Sequence, residues 1–288
     1  MTNILITGAN GQLGLTFKNI QKKYTNYNIF FAEKKILDIT NLEKIEKYLV
    51  KNQIDAIINC AAYTQVDKAE DEIELADKIN YTAVKYLAEL AKKHSIILVH
   101  ISTDYVFDGT SKNPYTETDK TNPQNCYGKT KLKGEEAIQE INPVNSIIIR
   151  TSWLYSEFGN NFVKTICRIG KDKDKIQVVS DQVGSPTYAK DLAEAILTII
   201  PKLKNENTEI VHFANTGSCS WFTFAEEIIK ISNIACVVEP IKSTKFKTKA
   251  KRPNYSLLNT NKIQNTFGIN IPNWKISLKK CLIKMHEV

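Results

Sequence analysis

The residues best suited to chemistry in this chain are a tyrosine and a lysine four positions apart, Tyr127 and Lys131. Residues at this spacing share one face of a helix, and an ammonium beside a phenol would lower the tyrosine pKa from its usual value of about 10. Such a tyrosine could donate a proton to a carbonyl oxygen. The spacing alone is weak evidence. Tyr81 and Lys85 repeat it, and chance gives about 1.5 such pairs in a chain with 12 tyrosines and this many lysines.

The surrounding sequence distinguishes the two pairs. Tyr127 comes after a predicted strand that ends at Ser102, and Thr103 directly follows that strand. Thr103 is therefore expected at the carboxyl edge of a parallel sheet, where doubly wound folds bind their ligands. Tyr81 and Lys85 instead lie within a long amphipathic helix that precedes this strand, and we interpret them as structural. We expect Thr103, Tyr127 and Lys131 to share one site.

A glycine-rich turn follows the first apolar run of the chain. Gly8, Gly11 and Gly14 are spaced as G-x-x-G-x-x-G between a predicted strand and a predicted helix. Glycine lets the backbone approach a pyrophosphate closely, and a helix N-terminus supplies amide donors and a favourable dipole. This context predicts a dinucleotide-binding turn, although a plain tight turn would use the same glycines. The other residues of the turn that we expect at the cofactor are Asn10, Gln12 and Leu13.

The adenosine half of the cofactor should meet residues that follow the second strand. Glu33 stands about 20 residues after Gly14, where an acid would bind a ribose hydroxyl. Lys34 beside it would instead favour the 2′-phosphate of NADP, so the sequence leaves NADH and NADPH both open. Asp38, which is followed by Ile39, could bond the adenine amino group or cap the local turn.

Short apolar runs alternate with helical patterns through the first half of the chain. This alternation predicts an α/β fold with a doubly wound, Rossmann-like parallel sheet. The predicted strands are Ile4–Thr7, Asn28–Phe31, Ala56–Asn59, Ile96–Ser102, Ser146–Arg150, Ile176–Val179 and Ile210–Phe213. The predicted helices are Leu13–Lys23, Leu42–Lys51, Ile73–Lys93 and Lys129–Glu140. We place a domain boundary near residue 150, and we expect later segments to return to the first domain.

The basic residues of the chain do not indicate nucleic-acid binding, although 39 lysines and arginines outnumber 31 acids for a formal charge of +8. Only three of them are arginine, the residue that base readout and phosphate forks favour. The lysines are spread along the chain, so a solvated surface is the better interpretation of the charge.

The cysteines and histidines form no metal-binding pattern. The six cysteines are widely spaced, and neither a C-x-x-C nor an H-E-x-x-H motif occurs among them and the four histidines. We therefore expect no metal, and reduced thiols in a cytoplasmic protein. The N-terminus lacks the pattern of a signal peptide, and no apolar run approaches the roughly 18 residues needed to span a bilayer.

Several stretches together resemble the extended short-chain dehydrogenases/reductases: the glycine turn, Asn59-Cys60-Ala61-Ala62, Ser102-Thr103-Asp104 and the Tyr127–Lys131 pair. Longer stretches resemble the dTDP-4-dehydrorhamnose reductases more narrowly, namely residues 61–70, 102–109, 150–155, 181–187 and 252–253. The similarity spans nearly the whole chain. It implies a Rossmann-like NAD(P)-binding domain at residues 1–150 and mainly a smaller C-terminal α/β substrate-binding lobe at residues 151–288.

The resemblance also implies a reaction, the nicotinamide-dependent reduction of C4 of dTDP-4-dehydro-L-rhamnose in the last step towards dTDP-L-rhamnose. Tyr127 would protonate the forming oxyanion and Thr103 would hydrogen-bond it, while Lys131 would lower the tyrosine pKa and bind the nicotinamide ribose. The cofactor would be lined by Ala61, Ala62 and Tyr63. The sugar nucleotide would be contacted by Thr64, Val66, Asp104, Tyr105 and Trp153, and its diphosphate by Arg252.

Two related functions remain open. Sugar-nucleotide 4,6-dehydratases share the fold and the tyrosine–lysine pair, but they carry a glutamate after Thr-Asp, where this chain has Tyr105. The regulatory subunit of methionine adenosyltransferase also resembles these reductases and acts as a partner protein. The complete set of Thr103, Tyr127 and Lys131 favours an enzyme.

Some reductases of this family dimerise around a magnesium ion held by glutamates. At the matching positions this chain has Thr16 and Lys190. Magnesium prefers anionic oxygen ligands, so a hydroxyl is a poor replacement and an ammonium repels the ion. We therefore predict no structural magnesium, and either a monomer or a metal-free homodimer. If the alignment is displaced by a residue, Glu194 or another nearby acid could supply the ligand.

Overall fold

The computed structural model describes residues 1–286. The elements of its first half are β1 (Thr2–Thr7), α1 (Gln12–Ile20), β2 (Tyr27–Ala32), α2 (Leu42–Lys51), β3 (Ala56–Asn59), α3 (Ile73–Asp77), α4 (Ala83–His94), β4 (Ile97–Thr103), α5 (Cys126–Ile141) and β5 (Ser146–Thr151). The elements of its second half are β6 (Leu154–Tyr155), α6 (Phe162–Asp172), β7 (Lys175–Val179), β8 (Val183–Gly184), β9 (Thr187–Tyr188), α7 (Ala189–Ile199), β10 (Glu209–Phe213), β11 (Cys219–Ser220), α8 (Trp221–Ile231), β12 (Val237–Ile241), α9 (Asn261–Phe267) and α10 (Trp274–His286).

Six parallel strands form the central sheet in the order β10-β5-β4-β3-β1-β2. Strand β1 pairs with β2 on one side and with β3 on the other, so the chain changes its winding direction at β1. Thr7 and Asn59 are partners in register at the carboxyl ends of β1 and β3. A crevice forms at such a switch point. The predicted α/β fold with a doubly wound, Rossmann-like sheet is confirmed.

The sheet is covered on both faces, which explains why its strands are continuously apolar. Ile4 and Ile6 of β1 pack with side chains of α1, α7 and α9 on one face. Leu5 of the same strand packs with α2, α4 and α5 on the other face. Because successive side chains of a strand point to opposite faces, one strand serves two cores.

The predicted helix Ile73–Lys93 is observed as α3 and α4 joined by a π-helical turn, Lys78–Thr82. The turn places Asn80 in the interior, with 0% exposure. Its side chain bonds both the backbone N–H and the backbone carbonyl of Tyr63, at 2.9 and 3.1 Å. Helical turns of this kind often occur at functional sites, and this one holds the backbone of the segment that follows β3.

Helix α5 begins three residues before the predicted start at Lys129. The side chain of Asn125 accepts the backbone N–H of Gly128 at 2.8 Å and so caps the helix at an earlier position. Tyr127 consequently lies in the first turn of α5, with Lys131 one turn later on the same side of the helix.

The second half of the chain builds a smaller unit and also contributes to the sheet. In the smaller unit, β7 pairs with β12, β8 with β11 and β6 with β9. Its apolar core combines side chains of α6, α8 and α10, such as Phe224 and Leu278, with strand residues such as Tyr155. By contrast, β10 pairs with β5 of the sheet, and α7 packs on the same apolar face as α1.

Within residues 1–286, no helix combines the length and apolar character needed to cross a membrane. The six cysteines in this range are free thiols. Cys126, Cys219 and Cys281 are buried, and the other three are half-buried.

Candidate active site

A cavity of about 1290 Å³ opens at the carboxyl ends of β1, β3, β4 and β5, the position expected for a ligand in this fold. The predicted cofactor residues that line it are Gly8, Asn10, Gly11, Gln12, Leu13, Gly14, Glu33, Asp38, Ile39, Ala61 and Ala62. The predicted substrate residues that line it are Thr64, Val66, Thr103, Asp104, Tyr105 and Trp153. Tyr127 and Lys131 also line it. The fold therefore brings the glycine turn and the tyrosine–lysine pair to one cavity.

The glycine turn needs glycine at two positions for steric reasons. Gly8 has a φ of +63°, and a Cβ there would lie 2.6 Å from the backbone nitrogen of Ala61. A Cβ on Gly14 would lie 2.5 Å from the Cα of Ala9. Both distances are far below van der Waals contact. Glycine thus allows the start of α1 to pack closely against the ends of β1 and β3.

The N-terminus of α1 is arranged to receive an anion. The first amides of a helix have no partner within the helix. Side chains of asparagine or serine cap α2, α5, α6 and α8, but the cap residue of α1 is Gly11, which has no side chain. Together with the close approach allowed by the glycines, this geometry fits the pyrophosphate of a dinucleotide.

Mixed charges surround the end of the cavity where the adenosine is expected. The amide of Asn10 donates to the carboxylate of Glu33, and Lys18 donates to Asn10 Oδ1 at 3.1 Å. Lys34 and Lys35 line the same region. One carboxylate and two ammonium groups therefore line this end of the cavity.

The side chain of Asp38 forms hydrogen bonds within its own turn. Its Oδ1 accepts the backbone N–H and the hydroxyl of Thr40, at 3.0 and 2.8 Å. The backbone hydrogen bond is the main reason that the pKa of Asp38 is lowered. Asp38 thus caps a turn in the cavity wall.

Thr103 and Asp104 stand together at the end of β4. The Thr103 hydroxyl donates to Asp104 Oδ1 at 3.0 Å and accepts the backbone N–H of Tyr105 at 3.2 Å. Asp104 is only 2% exposed. Burial raises the pKa of Asp104 to about 7. Hydrogen bonds from Ser256 and Thr103 lower this pKa, but their effect is smaller than that of burial.

Tyr127 differs from our expectation in the direction of its pKa. Burial raises the pKa of Tyr127 to about 12, while the hydrogen bond with Thr103 lowers it and the Asp104 charge raises it. The ring of Tyr105 meets the ring of Tyr127 edge-on, with centroids 5.6 Å apart. The expected lowering by Lys131 does not dominate here, because that side chain is engaged elsewhere. Tyr127 therefore keeps its proton at neutral pH.

Lys131 extends into the interior between α5 and β4. Its Nζ donates to the carbonyl of Ile101 at 2.7 Å and lies 3.1 Å from Nε2 of His100. Burial lowers the pKa of Lys131 to about 8, and the charge of Glu135 opposes this change. The sequence analysis did not select His100, although its position three residues before Thr103 on the same strand was a usable signal.

A buried ion pair holds the strand and the helix of the site together. Arg150 binds Glu135 through Nη2 at 2.6 Å and through Nε at 3.0 Å, and Ser102 donates to the same carboxylate. Ser102 precedes Thr103 on β4, and Glu135 follows Lys131 by one turn on α5. Glu135 therefore ties α5 to both β4 and β5. Sequence reasoning missed this cluster, because Ser102, Glu135 and Arg150 come from three different elements.

Two residues that we expected at the ligands bind other side chains of the protein instead. The hydroxyl of Tyr63 donates to Glu72 at 2.8 Å. The guanidinium of Arg252 bonds both oxygens of Asp67, at 3.1 and 2.7 Å. Neither residue is among the described residues that line the cavity. The arrangement gives no support to Tyr63 as a cofactor contact or to Arg252 as a ligand of the diphosphate.

Trp153 forms an aromatic wall at the other end of the cavity. Its φ is +47°, an uncommon value for a bulky residue. Its indole stacks on Trp221 with centroids 3.5 Å apart and planes 9° apart. A Cβ on Gly184 would lie 2.8 Å from the Trp153 ring, so glycine there makes room for the indole. Contacts from the smaller unit thus hold Trp153 in a strained backbone conformation.

Gln12 connects the glycine turn to the segment after β6. Its Oε1 accepts from the hydroxyl of Ser156 at 3.1 Å and from the amide of Asn161 at 3.0 Å. Gly159, Asn160 and Asn161 line the cavity, although sequence reasoning missed them. The Gly-Asn-Asn sequence was a signal for a tight loop, and Gly159 indeed has a φ of +61°.

The positions considered for magnesium have other partners in the structure. The hydroxyl of Thr16 donates to the backbone carbonyl of Gln12 at 2.8 Å. Lys190 forms an ion pair with Glu194 at 3.9 Å. Across residues 1–286, no group of three histidine, cysteine or acidic residues could hold a metal ion. The absence of a structural magnesium stays a prediction.

The sequence of this chain matches a known family and its characterised members. The family described as RmlD substrate binding domain matches residues 1–287. A dTDP-4-dehydrorhamnose reductase of Aggregatibacter actinomycetemcomitans is 40% identical over 288 residues, which cover 97% of this chain and 98% of that protein.

Two solved structures agree with these sequence matches. A dTDP-4-dehydrorhamnose reductase of Clostridium acetobutylicum is 44% identical, with a TM-score of 0.94 and 100% of both chains covered. The enzyme of that name from Bacillus anthracis, solved in complex with NADP, is 40% identical, with a TM-score of 0.92 over 99% of this chain and 100% of the other. This chain therefore belongs to the dTDP-4-dehydrorhamnose reductase family.

Proposed function

We propose that this chain reduces the C4 carbonyl of dTDP-4-dehydro-L-rhamnose to the alcohol, the last step in the synthesis of dTDP-L-rhamnose. NADPH or NADH supplies the hydride when bound. The proposal rests mainly on one observation: the glycine turn and the side chains of Thr103, Tyr127 and Lys131 line the same cavity. The membership of the family supports the same reaction.

The catalytic proton would come from Tyr127. Its buried phenol keeps its proton at neutral pH, because its pKa is raised to about 12. Thr103 would turn its hydroxyl from Asp104 to the carbonyl oxygen of the sugar and hold that oxygen near Tyr127. Carbon then gains a hydride and oxygen gains a proton, which balances the reduction. Lys131 would stabilise the phenolate and hold the nicotinamide ribose when its side chain faces the cavity.

The cofactor would lie along the carboxyl ends of β1 and β3. The open N-terminus of α1 after Gly11 supports a pyrophosphate there. Glu33 would bind the adenosine ribose and Lys34 would meet a 2′-phosphate, which supports the use of both NADH and NADPH. Ala61 and Ala62 would border the rest of the cofactor, since they line the cavity beside the glycine turn.

The sugar nucleotide would lie against the smaller unit. Thr64, Val66, Tyr105 and Trp153 line the cavity beyond the catalytic residues, which supports their assignment to the substrate. We assign residues 1–150 to cofactor binding and residues 151–288 mainly to substrate binding. The segments α7, β10 and α9 then belong to the first domain, because they pack on or pair with its sheet.

We also propose an oligomeric state and a cellular compartment for the protein. We propose a monomer or a metal-free homodimer that acts in the cytoplasm on a small nucleotide-sugar substrate. Six free thiols fit a reducing compartment. A dehydratase is disfavoured, because Tyr105 offers no carboxylate at the position where that class uses glutamate.

The decisive experiment uses the purified chain with dTDP-4-dehydro-L-rhamnose and either NADPH or NADH. We expect stoichiometric oxidation of the cofactor and a product whose C4 stereochemistry by NMR is that of dTDP-L-rhamnose. Loss of water from a dTDP-hexose without net oxidation of cofactor would indicate a dehydratase. Tight binding of a methionine adenosyltransferase without any turnover would indicate a partner protein.

A further inference from the structure

A chain of buried polar side chains lies behind Lys131 and is not required by the roles assigned so far. The Thr7 hydroxyl donates to Asn59 Oδ1 at 2.6 Å, Asn59 Nδ2 lies 3.0 Å from His100 Nδ1, and His100 Nε2 lies 3.1 Å from Lys131 Nζ. All four residues are 1% exposed or less. Buried polar groups of this kind are costly unless each donor meets an acceptor.

The orientation of the Asn59 amide is determined by its surroundings. Its Oδ1 lies 3.3 Å from the backbone nitrogen of Ala61, and a backbone N–H can only donate. Oδ1 must therefore be the atom on that side, where it also accepts from Thr7. Nδ2 is left to donate to His100 Nδ1.

The tautomer of His100 follows from this orientation. Because Nδ1 accepts a hydrogen bond, it carries no proton, and a neutral imidazole then has its proton on Nε2. The ring is neutral, since burial holds the pKa of His100 well below its usual value. His100 therefore directs an N–H towards Lys131.

The protonation state of Lys131 follows in turn. An ammonium has three donors and no lone pair, so it cannot accept the Nε2–H of His100. An amine can accept this bond and still donate to the carbonyl of Ile101. Lys131 can therefore form both of its hydrogen bonds, with His100 and with Ile101, as an amine but not as an ammonium.

The other titratable and charged groups around Lys131 do not reverse this conclusion. Glu135, on the same helix, favours the ammonium, but it is paired with Arg150 of β5 and its effect is smaller than that of burial. Burial raises the pKa of the Cys60 thiol after β3, so it is uncharged at neutral pH. Tyr127, one turn earlier on α5, is likewise a neutral phenol at that pH.

We propose that His100 is a positioning residue that holds Lys131 as an amine, and that protonation of Lys131 breaks this contact and turns the ammonium towards the cavity. The position of the lysine then depends on its charge, and the ammonium reaches Tyr127 only after leaving His100. The proposal deepens the reductase function and rests on it for the kinetic test. The spectroscopic test needs no turnover.

The first test reads the tautomer of His100 directly. In protein labelled with ¹⁵N-histidine, the His100 signals are those among the four histidines that disappear in His100→Gln. We expect an unprotonated Nδ1 and a protonated Nε2 between pH 6 and 9. A protonated Nδ1 in the unmodified protein would overturn the proposal.

A matched pair of variants tests the cause of the tautomer. In Asn59→Asp the carboxylate can only accept, so the proton should move to Nδ1 of His100. In Thr7→Val the Ala61 N–H still fixes the Asn59 amide, so the tautomer should not change. If the proton of His100 stays on Nε2 in folded Asn59→Asp, the Asn59 amide does not control the tautomer and the proposal is wrong.

The second test uses the pH dependence of kcat. If the ammonium is the active form, kcat falls as the pH rises through the Lys131 pKa of about 8. Glutamine at position 100 offers a carbonyl oxygen that accepts from an ammonium, so His100→Gln should move this basic limb up by about one pH unit or more. A purely structural role of His100 would lower kcat at every pH and leave the limb in place, which would contradict the proposal.

The matched control is a second buried histidine on a strand of the same sheet. His212 of β10 has its Nδ1 3.1 Å from the carbonyl of Tyr115, and its hydrogen bonds do not include Lys131. His212→Gln should leave the basic limb of the kcat profile unchanged. A shift in this variant equal to that of His100→Gln would show a general effect of altering the buried core and would overturn the assignment.

Discussion

Trp153 and Trp221 are stacked in parallel, with ring centroids 3.5 Å apart and planes 9° apart. Trp153 lines the cavity after β5, whereas Trp221 begins α8 in the smaller unit. The stack joins the two parts of the molecule at the place where the sugar nucleotide is proposed to bind.

We predict that Trp221→Leu raises the KM for the nucleotide sugar about twofold to tenfold and changes kcat little. An aromatic pair contributes about 0.5–1.5 kcal/mol, and 1.4 kcal/mol corresponds to a factor of ten. Steady-state kinetics at saturating cofactor measures both constants. Phe222→Leu on the same helix is the matched control, and an equal rise in its KM would show that loosening α8 is the cause.

We predict that Tyr127→Phe lowers kcat by about 100-fold or more, the usual contribution of general acid catalysis. Binding of the cofactor, measured by fluorescence or calorimetry, should persist, because the glycine turn is untouched. Tyr81→Phe is the control for the other tyrosine–lysine spacing, since the Tyr81 ring packs against the ammonium of Lys133 at 5.6 Å. If Tyr81→Phe were the damaging change, the assignment of the proton donor would be wrong.

We predict that NADH and NADPH both support turnover, with kcat/KM values within about 100-fold, or about 2.7 kcal/mol. Glu33 disfavours a 2′-phosphate, and Lys34 offsets that repulsion. Lys34→Ala should therefore lower kcat/KM for NADPH more than for NADH. Lys47→Ala, an exposed lysine on α2, should affect neither cofactor. A preference above 100-fold in the unmodified protein would mean that one of the two neighbours dominates.

We predict that Asp104 makes the protein less stable as the pH rises from about 4 to 7. Burial raises the pKa of this carboxyl from 3.8 to about 7. Between those values the unfolded chain has released the proton and the folded protein has not. The unfolded state then binds fewer protons, so the free energy of unfolding falls with pH across this window and levels off above it.

Asp104→Asn should remove this fall, because an amide stays neutral. Relative to the unmodified protein, the variant should gain about 1–3 kcal/mol in the free energy of unfolding between pH 4.5 and pH 8. Urea unfolding at both pH values measures the difference. Asp174→Asn alters an exposed carboxylate and should show no such change. A gain of the same size at both pH values would argue against a titrating Asp104.

We predict that chelation with EDTA changes neither the activity nor the oligomeric state. The hydroxyl of Thr16 is bonded within its own helix, and Lys190 brings a positive charge to the second position. Activity assays and light scattering, with and without EDTA, provide the measurement. A dimer that dissociates on chelation and re-forms with added magnesium would contradict the prediction and would point to Glu194 or a neighbouring acid as ligand.

The short-range features of the fold were predictable from the sequence. The strand Ala56–Asn59 and the helix Leu42–Lys51 have the predicted bounds, because hydrophobic periodicity reports local backbone geometry. The glycine turn was recognisable for the same reason, since its spacing lies within one strand–turn–helix unit. The two-residue strands β6, β8, β9 and β11 were not predicted, because so few residues show no period.

Pairings between distant parts of the chain were decided by the tertiary structure. Arg252 was a candidate ligand of the diphosphate, but packing brings it to Asp67, 185 residues away in sequence. The lysine four residues after Tyr127 was expected to lower the tyrosine pKa, yet burial raises that pKa and His100 engages the lysine. Spacing along a helix determines which residues share a face. The partners of that face and its exposure to water depend on the elements that pack against it. Those elements come from elsewhere in the chain.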